Sequence, residues 1–495
     1  MSELNLKLKP ELKSNLPVRA IQFGEGNFLR GFLDWMLFRL NKNGLFNGRV
    51  YVVQPTPRGR VMPKLIAQDF LYTTILHGVA GGKESEEIEV VNTIAGGFNP
   101  YNDDEWKALK EAACEENIDF IFSNTTEAGI VYVEEDGLGD KAPLSFPAKL
   151  TALLYERFKK LRKGLCVMPC ELIEDNGTKL LEIVLKHAAA WSLPQDFVSF
   201  VNNDCLFLNT LVDRVVSGYP VSASQEFEHK LGYTDALMTC GEIFHFLAIE
   251  GGDKVKELLP FEKIGLNVVV ADDITPYRLR KVRILNGTHT ANVPASFLAG
   301  LDTVDEMMSD KVTGAFARSV VYDEIIPAVN LDKNMLVEFA DAVMDRFSDP
   351  SMHHQLSSIL MNCTSKLKAR VIPSLLDARV KGVLPKKLCF AVAAYIALYK
   401  HADGKVPVQV QRAGGKSGEF NDDAYAVSVL TKAWSFYNKT EASALLTVKA
   451  VLSDVTLWGR DLSSDLDVTA MTAKLLHAVI SDGVLTTMRD LMENV

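Results

Sequence analysis

The chain has 495 residues, of which 47% are hydrophobic and 23% are charged, so it is long enough to form two or three globular cores. Its net charge of −10 argues against a nucleic acid or an acidic membrane as a partner, and an anionic substrate would need local Arg or Lys side chains. The scattered cysteines, the polar start of the chain and the lack of long apolar runs lead us to expect reduced thiols in a cytoplasmic protein without a membrane span.

A short apolar segment near the start, Val18 to Phe23, predicts a buried strand that runs into a glycine-containing loop. An amphipathic helix follows, and strand, glycine turn and helix are the elements that bind a dinucleotide pyrophosphate. The G-x-G-x-x-G pattern is incomplete because Leu29 stands at its third glycine position, and a plain tight turn is the alternative. The residues predicted to contact the cofactor in this loop are Phe23, Gly24, Gly26, Asn27, Phe28 and Arg30.

The next predicted strand, Arg49 to Gln54, ends where many dinucleotide-binding domains place an acid against the ribose 2′-hydroxyl. Here that position is Gln54, which we expect to contact the cofactor, and Arg58 and Arg60 follow closely. We interpret the two arginines as part of a solvated loop rather than as a 2′-phosphate site. This strand end by itself leaves the choice between NAD and NADP open.

A later buried strand, Asp119 to Ser123, ends in a run of polar residues. Ligands of doubly wound sheets bind just beyond the carboxyl ends of the strands, so Asn124, Thr125 and Glu127 are predicted cofactor contacts. A turn capped by its own side chains is the alternative. With the helices predicted between these strands, the pattern indicates an α/β, Rossmann-like domain over residues 1–275.

The pattern of apolar residues changes from strand-like to helical along the chain. Within the first domain, Phe197 to Val201 predicts one more strand, and Phe207 to Val216 predicts a helix or the start of one. From residue 276 to 495 helical spacing dominates, which predicts a mostly α-helical, substrate-binding domain. Residues 401–423 are poor in large apolar side chains and predict a surface loop or the tip of a lobe.

The segment Asp272 to Ala291, at the predicted domain junction, holds the residues best suited to catalysis. On a regular helix, Asn286 lies roughly 140° and His289 roughly 80° round the axis from Lys281, so all three can project from one side. An ammonium, a carboxamide and an imidazole are the groups needed to protonate and polarise a carbonyl oxygen. A solvated amphipathic helix with an incidental histidine is the alternative.

Four motifs that occur in order along the chain resemble the mannitol dehydrogenase family of polyol-specific long-chain dehydrogenases. They are the G-x-G-N-F-x-R loop, the N-T-T-E strand end, F-x-N-x-x-x-D-R at Phe207, Asn209, Asp213 and Arg214, and K-x-x-x-x-N-G-x-H at Lys281, Asn286, Gly287 and His289. The last motif is the most specific one, and the resemblance covers most of the chain. It implies NAD as the cofactor, Lys281 as general acid/base with Asn286 and His289 holding the carbonyl oxygen, and Asn209 and Arg214 as substrate contacts.

Two departures from the mannitol branch bear on the substrate. Leu172 stands where that branch carries a catalytic asparagine, and Arg278 stands where it carries a glutamate three residues before the lysine. An added cation suits a sugar acid, because an arginine can hold a carboxylate through two parallel hydrogen bonds. A solvent-exposed arginine is the alternative for Arg278.

The reaction implied by the resemblance is the reversible reduction of the keto group of tagaturonate to altronate, without a metal ion. Reduction of fructuronate and oxidation of a neutral polyol are the alternative activities. A dinucleotide-binding regulator without catalysis is the alternative from a different class of protein. We expect a monomer or a small homo-oligomer whose partner is a small sugar acid.

Overall fold

The computed structural model describes residues 1–80, 83–126, 128–350 and 354–493. The chain divides into two compact units, one formed by Met1–Gly78 with Glu84–Thr275 and the other by Pro276–Val495 with Val79–Lys83. Over the described ranges, no helix combines the length and the apolar character needed to cross a membrane.

The first unit is built on a parallel sheet with strand order β5-β2-β1-β6-β7-β8. Two smaller sheets have the orders β10-β3-β4 and β12-β11-β9. The strands are β1 (Val18–Phe23), β2 (Arg49–Val53), β3 (Tyr72–Ala80), β4 (Lys83–Val91), β5 (Ile94–Phe98), β6 (Phe120–Ser123), β7 (Cys166–Pro169), β8 (Leu206–Phe207), β9 (Thr210–Asp213), β10 (Thr239–Glu242), β11 (Phe246–Glu250) and β12 (Val268–Ala271).

Helices cover both faces of the large sheet, which confirms the predicted Rossmann-like class. Phe120 and Phe122 point into one apolar cluster, and Ile121 points into the other, as the two-residue period of a strand requires. The helices of this unit are α1 (Asn27–Arg30), α2 (Leu33–Lys42), α3 (Met62–Ala67), α4 (Asp103–Ala112), α5 (Phe146–Lys160), α6 (Asn176–Ala190), α7 (Gln195–Asn203), α8 (Ser224–Leu231) and α9 (Asp253–Leu258).

Two predicted elements of the first unit are wrong. Phe197 to Val201 lies in helix α7, where Phe197, Phe200 and Val201 share the side that packs into the core. Phe207 to Val216 contains strands β8 and β9 instead of a helix, because β9 pairs antiparallel with β11. Short apolar runs fit either period, and tertiary pairing decided both cases.

The second unit is mostly helical, as predicted, and its most enclosed element is α19. Every residue of α19 from Leu388 to Leu398 is buried, so this helix is apolar on all sides and forms the centre of the unit. The helices are α10 (Thr275–Arg280), α11 (Gly287–Leu298), α12 (Val304–Ser309), α13 (Lys311–Ser319), α14 (Ile326–Ala328), α15 (Lys333–Phe347), α16 (Leu356–Leu360), α17 (Cys363–Arg370), α18 (Ile372–Val380), α19 (Lys386–Leu398), α20 (Ala424–Trp434), α21 (Glu441–Leu452), α22 (Val455–Trp458), α23 (Leu466–Ser481) and α24 (Val484–Glu493).

The predicted surface loop at 401–423 contains an antiparallel hairpin of β13 (Val408–Gln411) and β14 (Ser417–Phe420). Its valines are buried and its glutamines exposed, an alternation too short to stand out in the sequence. Arg412 anchors the hairpin by donating hydrogen bonds to the carbonyls of Phe297 and Leu301, at 2.9 and 2.6 Å. A loop without regular structure is therefore wrong for the centre of this segment, although most of its residues are exposed, as predicted.

Candidate functional site

The loop after β1 has the backbone geometry of a phosphate-binding turn. Gly24 has φ +115°, and a Cβ there would lie 2.8 Å from the carbonyl oxygen of Asn124, so only glycine fits. Gly26 caps α1 with φ −72°, and a Cβ there would meet no atom within 4 Å. The start of α1 is therefore open to a ligand, while Gly24 brings the loop against the end of β6.

Arg30 holds this loop from its buried side. Its Nη1 donates to the carbonyl of Glu25 at 2.5 Å, and its Nη2 donates to Oδ1 of the exposed Asn27 at 2.6 Å. The guanidinium also lies 5.5 Å from the ring centre of Tyr72, and the side chain is only 2% exposed. These contacts favour a structural role for Arg30, which fixes the conformation that Gly24 permits, over direct contact with a cofactor.

A buried carboxylate that our sequence analysis missed lies beneath the loop. Gln22 Nε2 donates both to the carbonyl of Gly24, at 3.0 Å, and to Oδ2 of Asp34, at 3.1 Å. Complete burial raises the pKa of Asp34 to about 7, which the hydrogen bond from Gln22 and the charge of Arg30 offset only in part. The sequence signal was a single acid within the apolar run Leu33 to Leu37 of α2.

The polar residues after β6 are fixed by groups that follow β7. Asn124 Nδ2 donates to the carbonyl of Cys170 at 2.7 Å, and Thr125 donates to Glu171 from both its main-chain nitrogen and its hydroxyl. Glu171 is 2% exposed, and burial raises its pKa against these hydrogen bonds. Glu127, the third predicted contact at this strand end, lies outside the described residues.

These strand ends border an open cavity in the first unit. Its lining comes from Phe28 after β1, from Asn124, Thr126 and Ala128 after β6, and from Leu172 after β7. The order of the sheet reverses between β1 and β6, and this switch point is where doubly wound folds bind dinucleotides. The structure thus brings together the glycine loop and the β6 end, and it adds Leu172, which is 61% exposed at the cavity.

Gln54 points into its own loop. The side chain is 4% exposed, and its Nε2 donates to the carbonyl of Thr56 at 2.7 Å. Arg58 and Arg60 are exposed, in agreement with a solvated loop. The described contacts of Gln54 are therefore structural ones.

Asn209 and Arg214 are both buried and engaged by the protein itself. Asn209 accepts a hydrogen bond from the main-chain nitrogen of Thr178 at 2.9 Å and donates to Glu250 at 3.0 Å. Arg214 donates from all three guanidinium nitrogens to main-chain carbonyls, and burial lowers its pKa to about 9. These contacts favour structural roles over the expected substrate contacts. The carbonyls that accept from Arg214 belong to Gly31, Glu242 and Ile243.

In the second unit, the segment with the predicted catalytic residues is not one regular helix. Between α10 and α11, Lys281–Asn286 forms a π-helix, which corrects the α-helical geometry we assumed for Lys281, Asn286 and His289. Such π-helical turns are rare and often mark functional sites. Thr288 and Thr290 donate their hydroxyls to the carbonyls four residues earlier, at 2.5 and 2.9 Å, which also loosens regular helix geometry.

Lys281, Asn286 and His289 are all half-buried. The imidazole of His289 stacks on Phe347 with ring centres 4.0 Å apart, and its shielded Nε2 has no hydrogen-bond partner within the described ranges. The pKa of His289 lies well below 6.5, so the ring is neutral at pH 7 and can donate a hydrogen bond to a carbonyl oxygen. This low pKa is caused first by burial and then by the neighbouring basic side chains of His354, Arg346, Arg370 and Lys366.

Three arginines flank Lys281 on the same segment. Arg283 is paired with Asp377 at 2.6 Å and donates to Ser374, so its charge is largely compensated. Arg280 lies over the ring of Phe339 at 4.3 Å and is 9% exposed. Arg278 is half-buried and is thus more exposed than Arg280 and Arg283.

The cysteines do not form disulfides; all seven are free thiols. No group of three or more His, Cys, Asp or Glu side chains suited to a metal ion occurs among the residues that the structure describes.

Comparison with known families accounts for nearly the whole chain. Residues 18–263 match the family described as the mannitol dehydrogenase Rossmann domain, and residues 273–480 match the mannitol dehydrogenase C-terminal domain. Among similar proteins, the altronate oxidoreductase of Halalkalibacterium halodurans is 40% identical over 476 residues, covering 95% of this chain and 92% of that protein. The altronate oxidoreductase of Cronobacter sakazakii is 41% identical over 477 residues, covering 94% and 95%.

Solved structures share the fold at lower identity. Mannitol 2-dehydrogenase of Pseudomonas fluorescens, in a ternary complex with NAD and D-mannitol, is 20% identical with a TM-score of 0.70 and covers 100% of both chains. A substrate-free D-sorbitol dehydrogenase is 18% identical with a TM-score of 0.77 and covers 98% of this chain and 100% of its own.

Proposed function

This chain belongs to the mannitol dehydrogenase family, and we propose that it catalyses the reversible, NAD-dependent reduction of tagaturonate to altronate. The observation that carries the proposal is the identity of about 40% to proteins named altronate oxidoreductase over nearly the full length of both chains. A match of that extent includes the cofactor loop, the strand ends and the Lys281 segment together.

The first unit would hold the cofactor at the cavity beyond β1, β6 and β7. Gly26 leaves open space at the start of α1, and the partial positive charge there suits a pyrophosphate. Asn124 and Thr125, fixed by their bonds to Cys170 and Glu171, would border the nicotinamide half. When bound, the nicotinamide supplies the hydride for reduction and accepts it for oxidation.

The Lys281 segment would act on the oxygen of the reacting carbon. Lys281 donates a proton to the forming alkoxide during reduction and takes it back during oxidation. Asn286 and the neutral His289 donate hydrogen bonds to the same oxygen, and they become more stabilising as negative charge develops on it. His289 Nε2, which has no hydrogen-bond partner among the described residues, would form this bond when the substrate oxygen reaches it.

The acid end of the substrate requires a cation. Arg278 is our candidate from the sequence, because it replaces a glutamate of the mannitol branch and its guanidinium can hold a carboxylate through two hydrogen bonds. We assign Asn209, Arg214, Arg30 and Gln54 to supporting the strand ends, since protein groups engage their polar atoms.

A substrate panel tests the proposal. The purified protein is assayed with tagaturonate, fructuronate and fructose, each with NADH and with NADPH, and consumption of the reduced cofactor is followed by absorbance. We expect the highest kcat/KM with tagaturonate and NADH. A preference for fructuronate or fructose would assign one of the alternative activities, and no turnover with any pair would favour a non-catalytic dinucleotide-binding regulator.

We also propose that the protein acts in the cytoplasm as a monomer or a small homo-oligomer. Its seven cysteines are free thiols, which suits a reducing compartment. Size-exclusion chromatography with light scattering gives the number of subunits, and a mass above a tetramer would contradict this proposal.

A further inference from the structure

Two basic side chains on α17, Lys366 and Arg370, lie one turn apart, and both are half-buried. Lys366 Nζ donates to the carbonyl of Ile359 at 2.8 Å, and Arg370 Nη1 donates to Thr290 Oγ1 at 3.4 Å. Neither forms an ion pair with any carboxylate of the described residues. Because like charges four residues apart repel and partial burial adds a desolvation cost, the pair destabilises the free protein unless an anion joins it.

A carboxylate near α17, Asp422, is already occupied. Its Oδ2 accepts hydrogen bonds from Cys363 Sγ at 3.2 Å, from the main-chain nitrogen of Thr364 at 3.1 Å and from the hydroxyl of Tyr399 at 2.5 Å. These donors satisfy Asp422 at the start of α17, whereas Arg370 lies at the end of this helix. The described contacts of Asp422 include no ion pair with Lys366 or Arg370, although its charge favours the protonated form of Lys366.

The basic pair is tied directly to the segment with the predicted catalytic residues. Thr290 follows His289 in the chain; its hydroxyl accepts from Arg370 and donates to the carbonyl of Asn286 at 2.9 Å. A Cβ on Gly287 would lie 3.4 Å from the carbonyl oxygen of Arg370, so the two backbones also approach closely here. The positive charges of the pair help to lower the pKa of His289, as charges near the imidazole must.

We infer that Lys366 and Arg370 form the subsite that binds the carboxylate of the sugar acid, beside the carbonyl-binding groups Asn286 and His289. This inference rests on the proposed function and names the residues that give the site its preference for an acid. Arg370 supplies the planar donor pair and Lys366 adds charge, while Thr290 orients the guanidinium. Arg278, the candidate from the sequence, is the competing assignment for the same carboxylate, and the variants below distinguish the two.

Ligand binding tests the subsite without relying on turnover. Isothermal titration of the protein saturated with NADH compares altronate with altritol, its neutral polyol counterpart. In Arg370→Met the dissociation constant of altronate should rise by about tenfold or more, while those of altritol and NADH stay unchanged. Lys366→Met should also raise the dissociation constant of altronate. Arg370→Lys should raise it by an intermediate factor, because lysine keeps the charge but not the two parallel donors of the guanidinium.

The matched control is Lys368→Met, since Lys368 is exposed on the same helix and should leave all three dissociation constants unchanged. Circular dichroism verifies folding, and if Arg370→Met does not fold, Arg370→Lys and Lys366→Met decide. The inference would be overturned if the wild type and the folded variants bound altronate equally well. It would also be overturned if the variants lost affinity for NADH instead of altronate. If only Arg278→Leu lost the preference for altronate over altritol, the carboxylate would be assigned to Arg278. If altronate binding depended on Arg370 but the protein showed no turnover, the subsite would stand and the proposed reaction would fail.

Discussion

Glu171 accepts hydrogen bonds on one carboxylate oxygen from both the main-chain nitrogen and the hydroxyl of Thr125, each at 2.9 Å. Its other oxygen accepts from Ser123 at 3.0 Å. One buried carboxylate at the end of β7 therefore fixes two polar residues, Ser123 and Thr125, at the end of β6. Because Asn124 lies between Ser123 and Thr125, its position at the cavity depends on this clamp.

Replacing Glu171 by glutamine should loosen the clamp. The amide oxygen can still accept from Thr125, and the amide nitrogen can donate to the Ser123 hydroxyl if that hydroxyl rotates. The bonds are then no longer assisted by the carboxylate charge, which should cost about 1–3 kcal/mol in the free energy of unfolding. We also expect weaker NADH binding, because the end of β6 would no longer be fixed. Urea unfolding and fluorescence titration with NADH measure the two effects. Glu182→Gln, exposed on α6, is the control, and matching results for the two variants would contradict a role for the clamp.

The two glycines of the β1 loop should respond differently to alanine. Gly24→Ala places a methyl group 2.8 Å from the carbonyl oxygen of Asn124 at φ +115°, so it should destabilise the fold by about 1–3 kcal/mol. Gly26→Ala meets no atom and needs no positive φ, so its unfolding free energy should change by less than about 0.5 kcal/mol.

The same alanine at Gly26 should nevertheless lower the affinity for NADH by about tenfold, because the methyl group stands where the pyrophosphate approaches the main chain. Urea unfolding and NADH titration of both variants make the comparison. Wild-type NADH affinity in Gly26→Ala would show that the loop does not hold the phosphates.

Local patterns were enough to predict the strand, glycine loop and helix around Gly24, since each element depends on residues close in sequence. Tertiary contacts decided the rest. The run Phe197 to Val201 fits a strand or a helix equally well, and its packing makes it part of α7. The π-helix at Lys281–Asn286 has no sequence period of its own, so the assumed α-helical angles could not anticipate it.

Buried polar groups were the hardest part of the site to predict. Asp34 and Glu171 are invisible to hydrophobic patterning, because their partners lie at least 12 residues away in the sequence. Conversely, the motif around Arg214 predicts a ligand-binding residue, but its guanidinium donates hydrogen bonds to main-chain carbonyls. Sequence motifs thus locate the region of the site, and only the three-dimensional contacts separate supporting residues from available ones.

The buried Asp34 should make stability depend on pH. Its folded pKa of about 7 exceeds the ordinary value of 3.8, so the folded state retains a proton that the unfolded state has lost. The contribution is fully present below pH 3.8 and is lost as pH rises through 7, with an upper bound of about 4 kcal/mol. Asp34→Asn, which cannot ionise, should lose this dependence.

Urea unfolding of the wild type and of Asp34→Asn at pH 5 and pH 8 measures the effect. The difference in unfolding free energy between variant and wild type should shift in favour of the variant at pH 8, because the other titrating groups cancel in the comparison. An equal difference at the two pH values would contradict a raised pKa of Asp34.

Lys281→Ala tests the proton-transfer role. Removing the general acid/base should lower kcat by roughly 10²–10⁴-fold, while the dissociation constant of NADH stays unchanged. Stopped-flow reduction of tagaturonate and fluorescence titration of NADH give the two quantities. Arg283→Lys is the control, because Arg283 lies on the same segment but is paired with Asp377. Near-normal turnover in Lys281→Ala would remove the assignment.

His289 and its stacking partner Phe347 can be separated by a pair of substitutions. His289→Phe keeps an aromatic ring at 289 but removes the donor to the carbonyl oxygen, so kcat should fall by roughly 10²–10³-fold. Phe347→Leu keeps the donor and loosens the imidazole, so it should cost less. Because the pKa of His289 lies well below 6.5, the wild-type profile of kcat/KM should show no acid limb near pH 6.5. An acid limb at that pH that disappears in His289→Phe would mean that the imidazole titrates during catalysis, and the neutral donor assigned here would be wrong.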